Sequence, residues 1–238
     1  MTASSIALTV DGRTIEALPG QTILEAADAA GIYIPRLCWM KGLLPSGSCR
    51  ICTVRVHGRP QAACTQPVAP GMVIENDTTE LRDLRRDLIE MLFVEGNHFC
   101  MVCTKSGNCE LQALAYRFGM TAPRYPLAYP RRERDASHTG IVLDRDRCIL
   151  CARCARASRE LDGKTVFGFL GRGPEKRLAV NATGGLGQTD AATADRAVTA
   201  CPTGALMAKA AGFAQPVGRR LFDRSPIGSA VEPPAGEG

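Results

Sequence analysis

The chain has 238 residues, of which 45% are hydrophobic and 22% are charged, and its formal net charge is +5. This composition is typical of a globular protein and excludes collagen-like, mucin-like and largely disordered chains. No apolar run approaches the roughly 20 residues of a membrane span, and the first ten residues lack the features of an export signal. The sequence therefore predicts a cytoplasmic protein without a membrane partner.

The basic residues form small clusters that include Arg85, Arg153 and Arg156. Few aromatic residues lie between them, whereas a nucleic-acid interface usually combines a dense basic stripe with stacking side chains. No nucleic-acid partner is expected. Most of these arginines are predicted to be solvated or to face a partner protein.

Eleven cysteines are the feature of the composition that most needs an explanation. An odd number of cysteines, in a chain of this length and in a reducing compartment, argues against a disulfide framework and favours metal ligation. The cysteines fall into three groups in chain order, which are Cys38, Cys49, Cys52 and Cys64; Cys100, Cys103 and Cys109; and Cys148, Cys151, Cys154 and Cys201.

The segment around the first group is predicted to be a small mixed sheet crossed by one helix. The helix begins at Thr22, which forms a capping box with Glu25, and ends at Gly31. Alternating apolar residues and turn signals predict strands over 6–10, 13–17, 52–56 and 72–75. This order of elements is that of a beta-grasp fold, and the domain is predicted to span residues 1–77.

The pattern then becomes helical. A helix is predicted between 77 and 96, with Asp77 and Glu80 as a capping box and an apolar stripe formed by Leu81, Leu84, Leu88, Met91 and Leu92. A second helix is predicted over 109–118, and residues 121–138 are predicted to be a linker. Together they predict a small helical domain over 78–138.

The third group lies in a segment that begins with a predicted strand over 141–143. The domain is predicted to span 139–210, and the Pro- and Gly-containing remainder, 211–238, is predicted to be a flexible tail. The predicted fold class is therefore α+β, with three small domains in series.

The spacing of the third group is the most specific. Three cysteines separated by two residues each, followed by a distant Cys201–Pro202, form the bacterial ferredoxin ligand set for one [4Fe-4S] cluster. A structural zinc site prefers two separated pairs of ligands. The positions where a second cluster would be ligated hold Ser158, Ala191, Ala194 and Ala197, so one cluster is predicted.

The first group has the central pair and the remote fourth cysteine of a [2Fe-2S] ferredoxin. Its first gap is ten residues, where plant-type ferredoxins have four. Four cysteines in two loose pairs could also hold one zinc ion, which leaves zinc as an alternative. The beta-grasp context favours the [2Fe-2S] cluster.

The second group provides only three thiolates. His98 lies two residues before Cys100, and an imidazole can ligate an iron–sulfur cluster, which predicts a [4Fe-4S] site formed by three cysteines and His98. The alternative is that solvent supplies the fourth ligand. His57 and His138 are predicted to be surface residues without a role.

The three groups in this order resemble a known family arrangement. The residues that carry the resemblance are PRLCWMKGLLPSGSCRICTV from Pro35, EGNHFCMVCTKSGNCELQALAYRFG from Glu95, DRDRCILCARCARA from Asp144 and CPTGAL from Cys201. The arrangement is similar to the N-terminal iron–sulfur region of the large peripheral-arm subunit of respiratory complex I and to the accessory region of [FeFe] hydrogenases. It most resembles the small diaphorase subunits of soluble NAD-reducing [NiFe] hydrogenases.

The resemblance implies one [2Fe-2S] cluster and two [4Fe-4S] clusters, the middle one with a histidine ligand. Complex I and [FeFe] hydrogenases place that histidine at the position of Gly96, so His98 would reach the iron by a different path of the loop.

The expected function is that of an electron-transfer subunit of an NAD-reducing hydrogenase, without a catalytic or NAD-binding site of its own. Its expected partners are a flavin- and NAD-binding diaphorase subunit and the small and large subunits of the [NiFe] hydrogenase. The alternatives are the iron–sulfur subunit of another NAD-linked complex, such as a formate dehydrogenase or a complex I-like enzyme, a freely diffusing ferredoxin-like carrier, and a zinc-binding interaction protein.

Overall fold

The computed structural model describes residues 5–209 and 214–233. The described residues form a mixed α+β structure, which confirms the predicted fold class. Its strands are β1 (Ile6–Val10), β2 (Arg13–Ala17), β3 (Thr53–Val56), β4 (Arg59–Ala62), β5 (Val73–Glu75), β6 (Arg134–Asp135), β7 (Ile141–Asp144), β8 (Phe167–Leu170), β9 (Arg177–Val180) and β10 (Leu206–Ala208). Its α-helices are α1 (Ile23–Ala29), α2 (Thr79–Val94), α3 (Glu110–Arg117), α4 (Arg153–Glu160), α5 (Arg196–Thr199) and α6 (Leu221–Arg224).

The N-terminal part is a five-stranded mixed sheet crossed by one helix, and four of its five strands were predicted. The strand order is β2-β1-β5-β3-β4, with β1 and β5 parallel and the other pairs antiparallel. Helix α1 begins at Thr22, whose hydroxyl accepts from the backbone N–H of Glu25, while the Glu25 carboxylate accepts from the backbone N–H of Thr22. Strand β4 was not predicted, because it is an edge strand that contains Pro60. Apolar residues from α1 and the inner face of the sheet form the core between them.

Helix α2 differs from its prediction at both its start and its buried face. Its N-cap is Thr78, whose hydroxyl accepts from the backbone N–H of Leu81, whereas Asp77 pairs with Arg82. The predicted apolar stripe is right for Leu81 and wrong for Leu84 and Met91, which are exposed. The buried face is formed by Leu81, Arg85, Ile89, Glu90, Phe93 and Val94. Two charged residues are buried on this face because each has several hydrogen-bond partners.

Glu90 holds the linker that follows α3 against α2. Its carboxylate accepts from the backbone N–H groups of Arg124 and Tyr125 and from Nε of Arg124, at 2.8 Å. The linker then pairs through β6 with β7, which belongs to the C-terminal sheet β10-β7-β6. His138 in this linker accepts from the backbone N–H of Gly140 and contacts the carbonyl of Ala191 at 3.0 Å, so it has a structural role that the sequence did not predict.

The C-terminal part combines the three-stranded sheet with the hairpin β8-β9 and the short helices α4 and α5. Ile141, Leu143, Ala157, Leu178 and Leu206 are among the residues of its apolar core. Ser158 and Ala197, where a second ferredoxin cluster would have ligands, are buried in this part.

The prediction of a flexible tail does not hold for residues 214–233, which pack against the rest of the chain. Ile227 is buried in the core formed by α2 and α3, and Phe222 and Val231 of the same segment pack against that core. Arg117 on α3 pairs with Glu232 at 2.6 Å, and the backbone N–H of Phe222 donates to the carbonyl of Gly107 at 2.9 Å. The first residues of the predicted tail, 211–213, and its last, 234–238, lie outside the described residues. No helix in the described part of the chain is long and apolar enough to cross a membrane.

Candidate metal centres

The four cysteines of the first group lie together at one end of the N-terminal sheet. Cys38 and Cys49 lie on the loop after α1, Cys52 directly precedes β3, and Cys64 follows β4. The thiols of Cys49 and Cys64 hydrogen-bond to Cys38, which lowers the pKa of Cys38 and raises the pKa of each donor. A further hydrogen bond from Cys64 lowers the pKa of Cys52 to about 7. The hydroxyl of Ser46 also lies within reach of the Cys38 sulfur.

The second group and His98 line one cavity between α2 and α3. Cys100 begins a short 3-10 turn, Cys103 ends it, and Cys109 is the residue before α3. The cavity wall includes His98, all three cysteines and Phe93, whose ring meets the imidazole edge-on at 5.3 Å between centroids. The structure therefore brings together the four side chains that the sequence predicts as one ligand set.

His98 is the most informative residue of this cavity. Its Nε2 is buried and has no hydrogen-bond partner within the described part of the chain. Burial, with the nearby charges of Arg147 and Arg132, lowers the pKa of His98 to about 4, so the imidazole is neutral at pH 7. A neutral imidazole nitrogen without a hydrogen-bond partner is costly to bury, and it is a suitable metal ligand.

Gly96 stands where complex I and [FeFe] hydrogenases have their histidine, and its lack of a side chain leaves room for His98, two residues later, to enter the cavity. A Cβ built on Gly96 would lie 2.5 Å from Nε2 of His98 and 2.8 Å from the backbone oxygen of Asp146. The imidazole of His98 therefore occupies the space into which a side chain at position 96 would project. His98 therefore reaches the cavity by the different path of the loop that the sequence predicts, and its ring fills the volume that a side chain at position 96 would fill.

The third group lines a separate cavity. Its wall includes Cys148, Cys151, Cys154 and Cys201, together with apolar residues such as Phe169 and Leu206. Leu150 and Ala152, between the first three cysteines, adopt left-handed backbone conformations, with φ of 54° and 61°. The backbone N–H of Leu206 donates to the sulfur of Cys201 at 3.4 Å. Here too the four predicted residues surround one space.

Burial dominates the electrostatics of the second and third groups. It raises the pKa of Cys148 to about 11 and that of Cys151 and Cys109 to about 12, and it raises the pKa of Cys154 well above its ordinary value. A buried thiolate without a counter-charge is disfavoured, and a bound cationic iron centre would supply that charge.

The second and third cavities adjoin each other, because Thr203 lines both. Its hydroxyl donates to the backbone oxygen of Arg147 at 2.8 Å, and Nη1 of Arg147 donates to the hydroxyl of Thr104 at 3.2 Å. Thr203, hydrogen-bonded to Arg147, therefore lies between the two sites.

The spatial arrangement of these candidate ligands suits iron–sulfur clusters better than single metal ions. Within residues 5–209 and 214–233, no three His, Cys, Asp or Glu side chains converge closely enough to hold a single metal ion. The ligands of an iron–sulfur cluster bind different iron atoms, so they stand around a space rather than around one point. The second and third groups have this form, and the unpartnered Nε2 of His98 supplies the donor that three cysteines lack.

Three segments of the chain match known iron–sulfur families in the predicted order. Residues 3–79 match a 2Fe-2S iron-sulfur cluster binding domain, residues 85–124 match the NADH-ubiquinone oxidoreductase-G iron-sulfur binding region, and residues 141–207 match a 4Fe-4S single cluster domain.

The relatives identify the family. The chain is 40% identical over 220 residues to the NAD-reducing hydrogenase HoxS subunit gamma of Cupriavidus necator, and the match covers 92% of this chain and 94% of the relative. The chain belongs to the HoxS gamma subunit family. A crystal structure of an NAD+-reducing [NiFe]-hydrogenase in the H2-reduced state contains a chain of the same fold, with a TM-score of 0.91, 50% identity, and coverage of 94% of this chain and 95% of that one.

Longer relatives contain the same region within larger chains. The chain is 34% identical over 206 residues to the NADPH-Fe(3+) oxidoreductase subunit alpha of Geobacter sulfurreducens, covering 86% of this chain and 24% of the relative. It is 31% identical over 214 residues to the mitochondrial NADH-ubiquinone oxidoreductase 78 kDa subunit of Candida albicans, covering 88% of this chain and 29% of the relative. Within the HoxS gamma family, by contrast, the match extends over nearly the whole length of both chains.

Sequence reasoning missed the buried arginines of this family member. Arg85, Arg153 and Arg156 were predicted to be solvated or to face a partner, yet their exposed fractions are only 2%, 7% and 7%. Their acceptors are mainly backbone carbonyl oxygens on other elements, which a linear sequence does not reveal. The available signal was the spacing of Arg153 and Arg156, three residues apart and next to Cys154, which places both on one side of α4.

Proposed function

We propose that this chain is the iron–sulfur electron-transfer subunit of a cytoplasmic NAD-reducing hydrogenase. Its partners would be a flavin- and NAD-binding diaphorase subunit and the small and large subunits of a [NiFe] hydrogenase. The observation that carries the proposal is the arrangement of twelve candidate ligands in three groups of four. Membership of the HoxS gamma family supports the identity of the complex.

The proposed ligand sets follow the three groups. Cys38, Cys49, Cys52 and Cys64 would hold a [2Fe-2S] cluster within residues 1–77. His98, Cys100, Cys103 and Cys109 would hold a [4Fe-4S] cluster within residues 78–138, and Cys148, Cys151, Cys154 and Cys201 a second one within residues 139–210.

When bound, such clusters supply one-electron redox chemistry, which a hydride-transferring flavin subunit and a hydrogenase need between them. The residues of this chain would then hold the clusters at fixed separations and exclude water from them. Burial of Cys38, Cys52 and Cys64, and of the apolar residues around Cys151 and Cys154, supports the exclusion of water.

The first experiment is metal and sulfide analysis of the complex purified without oxygen, combined with electron paramagnetic resonance. The proposal predicts about ten iron atoms per copy of this chain, beyond those of its partners, with acid-labile sulfide. Zinc without sulfide would instead support an interaction protein and overturn the proposal.

The second experiment tests His98 as a ligand. A His98→Ala variant should lose the middle cluster, which leaves about six iron atoms. His98→Cys should retain it, because a thiolate replaces the imidazole. His57→Asn is the matched control, since His57 lies in an exposed turn with φ of 48°, a conformation that asparagine tolerates. Full iron content in His98→Ala would show that solvent or another group supplies the fourth ligand.

The third experiment tests the relay itself. Cys151→Ala should abolish H2-dependent reduction of NAD+ while NADH-dependent dye reduction at the flavin subunit continues. Full coupled activity in a variant shown to lack that cluster would contradict the proposed function.

A further inference from the structure

Helix α4 connects the first and third cysteine groups through one side chain. Nη2 of Arg156 donates to the backbone oxygen of Cys38 and, at 3.5 Å, to the backbone oxygen of Cys151. Nη1 of the same guanidinium donates to the backbone oxygen of Leu44. One buried side chain is therefore hydrogen-bonded to a candidate ligand residue of each of two sites.

Arg156 contacts the loop between Cys38 and Cys49, which is longer than the corresponding loop of a plant-type ferredoxin. Leu43, in this loop, is buried within the core of the C-terminal part, and Met40 packs against the same core. The backbone N–H of Leu44 donates to the carboxylate of Glu160 at 2.9 Å. The residues that lengthen this gap, relative to a plant-type ferredoxin, thus form the contact with α4.

Among the described residues no carboxylate contacts the charge of Arg156, because the three acceptors found there are backbone carbonyl oxygens. Its Nε is buried without a hydrogen-bond partner among the described residues. Arg153, one turn earlier, differs in this respect, since it pairs with Glu110 at 2.7 Å. A buried cation without a counter-ion is costly unless another negative group lies nearby.

Clusters held by four thiolates carry net negative charge, and the two nearest candidate sites are those of Cys38 and Cys151. We infer that Arg156 is the positioning residue for electron transfer between the first and third groups, fixing the loop of Cys38 against α4 and placing one positive charge between the two clusters. The inference rests on the proposed function. Each transfer oxidises one of these clusters and reduces the other by one electron, so no further reactant is needed.

Both parts of this role have measurable consequences. The positive charge favours the reduced, more negative form of each neighbouring cluster. Its removal should shift the ratio of oxidised to reduced cluster by about tenfold at fixed potential, which corresponds to about 59 mV for a one-electron couple. The hydrogen-bonded fork fixes the separation of the two sites, so its loss should slow transfer between them.

The test uses the complete complex with Arg156→Met, Arg156→Lys and, as matched control, Arg159→Met. Arg159 lies on the same helix, but its side chain is 68% exposed, and within the described ranges its one ion pair is with its neighbour Glu160, at 3.5 Å. Iron and sulfide content, NADH-dependent dye reduction, H2-dependent NAD+ reduction and the midpoint potentials of both clusters are measured in each variant.

Arg156→Met should retain dye reduction, lower both midpoint potentials by about 59 mV and reduce the coupled rate about tenfold. Arg156→Lys should restore the potentials, because it keeps the charge, but only part of the coupled rate, because an ammonium cannot reproduce the planar fork. The control should match the wild type. Unchanged potentials and an unchanged coupled rate in Arg156→Met at full iron content would overturn the inference.

If Arg156→Met fails to retain iron, the coupled rate of Arg156→Lys alone tests the inference. A reduced coupled rate at full cluster content supports the inference, and a full rate overturns it. Absence of iron and sulfide from the wild-type complex would instead refute the proposed function. A failure of the inference about Arg156 can therefore be distinguished from a failure of the proposed function.

Discussion

Substitution of Arg85 measures how much a buried charge contributes to the free energy of unfolding of this chain. It lies on α2 with an exposed fraction of 2%. Its guanidinium donates to the backbone oxygens of Ile51 at 3.2 Å, Thr53 at 2.9 Å and Asn76 at 2.7 Å, and to the side-chain oxygen of Asn76 at 2.8 Å. Ile51 and Thr53 flank Cys52, so Arg85 fastens the segment of a candidate ligand to α2.

The perturbation is Arg85→Met, which retains much of the volume but leaves four buried acceptors without a donor. Four hydrogen bonds from a charged group, at about 1.5 kcal/mol each, contribute on the order of 6 kcal/mol. Burial, only partly compensated by nearby negative groups, lowers the pKa of Arg85 from its ordinary value to about 10, and this net cost of holding the charge offsets about 3 kcal/mol. The expected net loss of unfolding free energy is therefore about 3 kcal/mol, or about 6–12 °C in the melting temperature for a chain of this length.

The assay is thermal unfolding of the cluster-loaded protein, followed by circular dichroism and by loss of the visible absorption of the first cluster. Arg82→Met is the matched control, because Arg82 lies on the same helix but is exposed, and its guanidinium bonds only Asp77 in the part of the chain that the structure describes. The control should melt with the wild type. A melting temperature of Arg85→Met within about 2 °C of that control would refute the reasoning, since the estimate above requires several degrees.

Three further substitutions test other contacts. Gly96→Ala should displace the imidazole of His98 and lower the iron content by about four atoms. Gly168→Ala is its control and should keep full iron, because a Cβ added at Gly168 has nothing within 4 Å. Equal iron content in the two variants would contradict the role given to Gly96. Glu90→Gln should release the linker after α3, seen as faster amide hydrogen exchange there, and unchanged exchange would show that the carboxylate is not what holds it. Thr22→Ala should cost about 1 kcal/mol in urea unfolding through loss of the α1 cap, and Thr22→Ser should restore it.

The sequence predicted those features whose signal is local. Cysteine spacing predicted the groups that the structure brings together, and the capping residues of α1 predicted its start. The position of His98 next to Cys100 was likewise sufficient to place it in the middle group.

The features that were missed depend on partners distant in sequence. Apolar periodicity assigned the wrong residues to the buried face of α2, because Arg85 and Glu90 are polar in sequence but are satisfied by acceptors or donors on other elements. Residues 214–233 pack through scattered side chains such as Phe222, Ile227 and Glu232, in a segment without periodicity. No local pattern distinguishes such a segment from a solvated tail.

The C-terminal segment has a consequence for the order in which the sites are completed during synthesis. Arg220 and Phe222 contact the backbone oxygens of Ser106 and Gly107, in the loop between Cys103 and Cys109. All candidate ligands of the middle group are synthesised before Cys148, and Gln112 already bonds the backbone N–H of Gly107. The contacts from Arg220 and Phe222 form only after the residues that follow Cys201 have been made. The middle site, second in the sequence, therefore completes its packing only once the C-terminal segment has left the ribosome.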